Sequence, residues 1–215
     1  MIPVRSLSRF VQPRGSAPPD GCGFCGVALA PQHRHVVDLE ERSLRCACRA
    51  CSLLFDRAAA CAGRLRTVPE RVVYDEAFRL GEADWAPLEI PVRLAFVFFN
   101  SRAGRWVASY PSPAGATESA LALGAWEKIA RAPLVASMEP DVEALLVYGR
   151  RPSSPLECLV VPVDACYELV GRIRRAWRGI DGGGEVPRQI EDCLARLRGR
   201  ARELRGPGGP KDAST

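Results

Sequence analysis

A chain of 215 residues is long enough for one or two domains, and a hydrophobic content of 47% supports a substantial core. No apolar run is long enough to span a bilayer, and the opening "MIPVRSLSRFVQPRGS" lacks the apolar segment of a secretory signal, so a cytoplasmic protein is expected. The net charge is +5, but the 30 basic residues include only two lysines, Lys128 and Lys211; abundant Arg, Ala, Gly and Pro are what a GC-rich genome writes at unconstrained positions, so arginine richness alone is no nucleic-acid footprint.

Residues 1–20 are rich in Pro, Ser and Arg without periodicity and predict a flexible arm. Residues 21–60 hold five of the nine cysteines and both histidines, and predict a zinc-ribbon-like module. Inside it, "HVVDL" and "SLRC" read as short strands joined by a polar turn at "EER". Residues 62–205 predict an α+β domain with a mainly antiparallel sheet and helices packed on one face.

In that domain "RLRTVPERVVY" gives one or two short strands and "GEADWAPL" a short helix with Trp85. "PVRLAFVFFN" and "RWVASYP" flank a Gly-containing turn and predict a hairpin. "PSPAGATES" reads as a loop, and "LGAWEKIARA" as a helix that stops before Pro133. "EALLVYG" and "ECLVVPV" are strands. Asp164 is placed to cap the helix "DACYELVGRIRRAWRG", whose Tyr167, Val170, Ile173 and Trp177 recur at helical spacing. A last helix is expected over "VPRQIEDCLARLRGRARELR", with Ile190, Leu194, Leu197, Ala201 and Leu204 at heptad-like spacing; packing on its own sheet is favoured over a partner helix. Residues 206–215 predict a disordered tail.

Two CxxC knuckles, Cys22/Cys25 and Cys48/Cys51, flank the hairpin. Two thiolates three residues apart chelate one ion from a tight turn, and four close a tetrahedral site with no open position, which is structural chemistry. Zinc is the expected ion, with iron the competitor, because a rubredoxin centre or an iron–sulfur cluster uses the same thiolates. Gly23 and Gly26 are expected to let amides approach the sulfurs, and Arg45 and Arg49 to favour thiolate. Cys46 is surplus: on a strand it shares a face with Cys48, so it is either a packed thiol, a substitute ligand, or part of a second soft-metal site with His33 and His35. The packed thiol is the simpler reading.

The remaining chain excludes several chemistries. Beyond the cluster there is no histidine, so no Ser–His or Cys–His nucleophile arises within the larger domain. There is no P-loop, and "GIDGGGE" lies between helices, unlike a dinucleotide fingerprint. Cys166 near a helix start is better read as a packing residue than as an activated thiol, as are Cys158 and Cys193. "RIRRAWRG" and "RLRGRARELR" read as solvated faces before phosphate binders. No enzyme constellation is present, and the acids Asp38, Glu40 and Glu41 on the ribbon hairpin count against a nucleic-acid-binding zinc ribbon.

The segments "CGFCGVALAPQHRHVVDLEERSLRCACRACSLLF", "IPVRLAFVFFNS", "YPSPAGATES", "EPDVEALLV" and "VPVDACYELVGRIRRAWRG" together resemble an uncharacterised family of high-GC bacteria. Its genes tend to lie beside those of uptake nickel–iron hydrogenases and their accessory proteins. The resemblance implies an accessory protein that assists hydrogenase maturation or assembly, with a hydrogenase subunit or a maturation factor as partner. Its matching positions are Cys22, Cys25, His33, His35, Cys46, Cys48 and Cys51, with the segments "GATES" and "DACYELVG".

Overall fold

The computed structural model describes residues 21–56, 63–119, 121–151, 155–179 and 182–204. The expected arm over 1–20, the tail over 206–215 and Cys61 lie outside them. The chain divides into two compact units, Met1–Thr67 and Val68–Thr215.

In the first unit, strands β1 (Arg34–Asp38) and β2 (Ser43–Ala47) form the expected antiparallel hairpin, with Val36 opposite Arg45 and His35 opposite Cys46. Arg42, at φ 52°, turns the chain between them. A third strand, β3 (Leu65–Thr67), adds to the free edge of β1, so this strand from "RLRT" completes the small sheet in the order β2-β1-β3. The short helix α1 (Arg49–Leu53) follows β2 directly. Among the described residues the apolar core of this unit is small: Val36, Ala47 and Phe55 are buried, with Phe24 and Leu65 packed against them. So little buried apolar surface does not hold a fold by itself.

The second unit is built on a seven-stranded sheet of order β10-β4-β9-β8-β5-β6-β7. Its strands are β4 (Val72–Tyr74), β5 (Leu94–Asn100), β6 (Arg105–Ser112), β7 (Gly115–Ser119), β8 (Glu143–Tyr148), β9 (Glu157–Pro162) and β10 (Ala201–Glu203). All neighbours are antiparallel except β10 and β4. The helices are α2 (Glu82–Trp85), which runs into a 3-10 turn (Ala86–Leu88), α3 (Leu123–Ala130), α4 (Pro133–Ala136), α5 (Val163–Ala176) and α6 (Glu185–Arg198).

The sequence reading put helices on one face; they cover both. Strands β5, β8 and β9 are apolar at successive positions, so each presents side chains to two cores, as strands buried on both faces do. The row Val97, Leu145, Val160 and Val73 runs across paired strands toward Trp85, Trp126, Ile129 and Leu134. The adjacent row Phe96, Leu146 and Leu159 faces Cys166, Leu169, Ile173, Leu194 and Leu197 of α5 and α6.

Four further expectations are corrected. "GATES" is strand β7, not loop: its backbone pairs with β6 from Ala108↔Ser119 to Ser112↔Gly115 despite a polar sequence. Pro162, not Asp164, is the N-cap of α5; Asp164 sits in the first turn. The buried stripe of α5 is Val163, Ala165, Cys166, Leu169, Val170 and Ile173, while Tyr167 is exposed and Trp177 lies past the helix end. Helix α6 stops at Gly199, and Ala201 and Leu204, expected on the helix, lie in or beside β10. Leu194 and Leu197 are buried in their own core, as the favoured reading had it.

Candidate metal centre

The first knuckle is a turn closed on itself. Cys22 N donates to Val27 O at 2.8 Å, and Gly26 N donates to Cys22 O at 2.8 Å. Gly26 holds φ 78°, a conformation that side chains other than glycine's adopt at a cost. Gly23 N donates to Cys46 O at 2.8 Å, which ties the knuckle to β2. The two glycine amides serve backbone carbonyls, and the amides of this turn that approach a sulfur, as expected, are those of Phe24 and Cys25 at Cys22.

The second knuckle is where strand becomes helix. Cys48 is the N-cap of α1, and its sulfur accepts from Cys51 N at 3.4 Å. Cys48 N donates to Cys22 Sγ at 3.3 Å. The helix turn brings Cys48 and Cys51 to Cys22 and Cys25, and the ligand atoms of these four residues all lie within 4.8 Å of one another. Cys25 Sγ and Cys48 Sγ are 3.8 Å apart. A tetrahedral ion with metal–sulfur bonds of about 2.3 Å needs sulfurs about 3.8 Å apart, so the donor set fits a tetrahedral ion after a small contraction.

The electrostatics point the same way. Burial opposes charge on Cys22, but amides of Cys48, Cys25 and Phe24 directed at its sulfur outweigh burial and bring the thiol down to about 6. Hydrogen bonds from Cys51 to Cys48 and Cys25 keep the Cys51 proton in place and push that thiol up to about 12. Four adjacent thiols cannot all ionise unless a cation absorbs their charge. Arg45, expected to supply positive charge here, is instead engaged by Asp38 at 2.8 Å and Glu41 at 2.7 Å.

Cys46 is not part of this set. It stays on β2 opposite His35, and the ligand atoms of Cys46, His33 and His35 lie within 4.8 Å of one another. The expectation that Cys46 and Cys48 share a strand face fails because β2 ends at Ala47.

Among the described residues, the other thiols read as core. Cys166 and Cys193 are 1% exposed, and burial pushes both thiols above their ordinary value. Burial pushes Cys158 up to about 12. Among the described residues, no helix is long and apolar enough to cross a membrane.

Sequence reasoning missed the ion-pair knot at the turn end of the hairpin. Buried Asp38 accepts from Arg45, from Arg64, and from the amides of Glu40 and Glu41. The signal was an aspartate at a strand end followed by a polar turn, which is where a carboxylate caps turn amides.

No curated protein and no solved structure matches the chain. One family model matches residues 21–201, from the first knuckle to the start of β10, and the chain therefore belongs to the family of unknown function DUF5947.

Proposed function

We propose that this is a cytoplasmic, non-enzymatic accessory protein. A structural zinc ion on Cys22, Cys25, Cys48 and Cys51 holds its N-terminal module in shape, and the module docks a protein partner. The partner class implied by the sequence resemblance is a nickel–iron hydrogenase subunit or a maturation factor, so the role is assistance in hydrogenase maturation or assembly. The observation that carries the metal reading is the placement of four thiols within 4.8 Å of one another, beside an apolar core that among the described residues consists of Val36, Ala47 and Phe55. In such a unit, metal-binding free energy is folding free energy. Docking is supported by Val27, Leu53 and Leu54, which are 51%, 56% and 68% exposed and lie two or three residues past the knuckles in sequence.

A second reading is an iron centre for electron transfer. It is favoured by the amides that point at the sulfurs of Cys22 and Cys48, since such hydrogen bonds tune an iron–thiolate centre. The nucleic-acid reading gains no support, because Arg45 and Arg64 are already paired with the hairpin acids.

Elemental analysis with a visible spectrum, on protein purified without oxygen, tests the metal. Tightly held zinc without colour is expected; iron with visible absorption replaces this reading with the electron-transfer one. Calorimetry against purified hydrogenase subunits and maturation factors tests the partner. Binding to one of them, weakened about tenfold or more by Leu53→Asp in metal-retaining protein, is expected. Failure to bind any of them removes the partner class and leaves the metal assignment standing.

A further inference from the structure

The four-cysteine centre leaves a second group of soft ligands unused. His33 immediately precedes β1, His35 is on β1, and Cys46 faces His35 from β2. Because side chains alternate along a strand, His35 and Cys46 lie on the face opposite the buried Val36 and Ala47. Their ligand atoms and that of His33 fall within 4.8 Å of one another. The imidazole rings are 4.8 Å apart between centroids and tilted by 55°, so they are not stacked face to face.

His33 carries the decisive detail. Its Nδ1 is 2.9 Å from Ala30 O, a carbonyl that can only accept, so Nδ1 holds a proton, and in the neutral imidazole Nε2 holds a lone pair. That Nε2 is buried and has no hydrogen-bond partner within the protein. A buried acceptor without a donor is costly. An imidazole whose far nitrogen is fixed by a carbonyl is also how a metal-ligating histidine is oriented.

We propose that His33, His35 and Cys46 bind a second divalent ion of the zinc class. The donor set is two imidazoles and one thiolate, which suits borderline transition metals and not the oxygen-seeking Ca2+ or Mg2+. Three protein ligands leave one coordination position for water or a small exchangeable ligand, unlike the closed four-thiolate centre. The module then holds two ions of different character, one locked and one exchangeable, bridged by the bond from Gly23 N to Cys46 O.

The test uses the full chain, with the four-cysteine centre filled by zinc, titrated anaerobically with Co2+ while zinc release is followed. The expected result is uptake of one equivalent of Co2+ without zinc release. Its spectrum should be tetrahedral, with a thiolate charge-transfer band of one sulfur. Cys46→Ser should remove that band, and His35→Ala and His33→Gln should each weaken uptake about tenfold or more while the zinc stays. No uptake beyond the zinc, or uptake unchanged in both histidine variants, overturns the proposal. So does loss of zinc from folded Cys46→Ser protein, since Cys46 would then belong to the first centre. If Cys46→Ser fails to fold, the two histidine variants decide.

Discussion

Arg64, just ahead of β3, grips Asp38 at the end of β1 through two hydrogen bonds, Nε to Oδ1 at 3.0 Å and Nη2 to Oδ2 at 2.9 Å. The Asp38 side chain is 1% exposed, and the Arg64 guanidinium holds its carboxyl well below the usual carboxylate range. Asp38→Asn should cost about 2 kcal/mol, less than the loss of a fully buried pair because Arg64 and Arg45 keep part of their water. Denaturant melts of the zinc-loaded protein check this.

The same contact sets an acid limit. A carboxyl depressed by folding contributes stability that is full above its unfolded value, near 3.9, and is lost as pH falls through the folded value. The contribution of Asp38 should therefore fade below about pH 4. The difference in stability between native and Asp38→Asn protein, measured against pH at saturating zinc, should shrink over that window. A difference that persists unchanged to pH 2 would show that the carboxylate charge is not what matters.

Cys22→Ser removes the ligand that the Cys48 amide supports. It should release the tightly held ion and unfold residues 21–67, while the second unit keeps its own melting transition. Metal analysis and calorimetry separate the two effects, and full metal retention would sink the four-cysteine assignment.

Glu143 is fully buried and accepts both arms of Arg71, at 2.6 and 2.7 Å, together with the Glu139 amide. Arg71→Met should cost about 3 kcal/mol, because it strands a carboxylate in the interior. Pairing it with Glu143→Leu should recover most of that loss. If the double variant is as unstable as the single one, packing rather than charge is the cause.

Gly149 follows β8 and donates to Arg93 O at 2.7 Å. A Cβ there would sit 2.5 Å from Arg93 Nε and 2.7 Å from Leu156 Cδ2. Gly149→Ala should cost about 1–3 kcal/mol through forced displacement of the buried Leu156. A neutral result in a thermal melt would mean that β8 and the Leu156 segment separate easily.

Where hydrophobic pattern decides structure, the chain was legible. The ribbon hairpin and β5, β6, β8 and β9 follow from runs such as "LAFVFFN" and "EALLVY". So does the gathering of Cys22, Cys25, Cys48 and Cys51, because a CxxC spacing carries its own geometry. What stayed hidden depends on long-range pairing. The polar "GATES" becomes β7 only because β6 offers it a backbone edge. "RARELR" continues a helical pattern in composition, yet Gly199 ends α6 and Tyr74 O then receives Leu204 N at 2.7 Å. The sorting of Cys46 from Cys48 turned on one residue, the end of β2 at Ala47. No local signal in "RCACRAC" marks that change from strand to helix.

The parallel pairing of β10 with β4 joins residues 201–203 to residues 72–74. A ribosome adding about 5–20 residues per second makes β4 wait on the order of ten seconds for this neighbour. The ribbon's three strands, by contrast, have all been synthesised by Thr67. The nascent chain can thus finish its first unit, with the four thiols gathered, while an edge of the larger sheet is still unpaired. Gathering of the thiols and closure of the sheet become separate, ordered events in the birth of the protein.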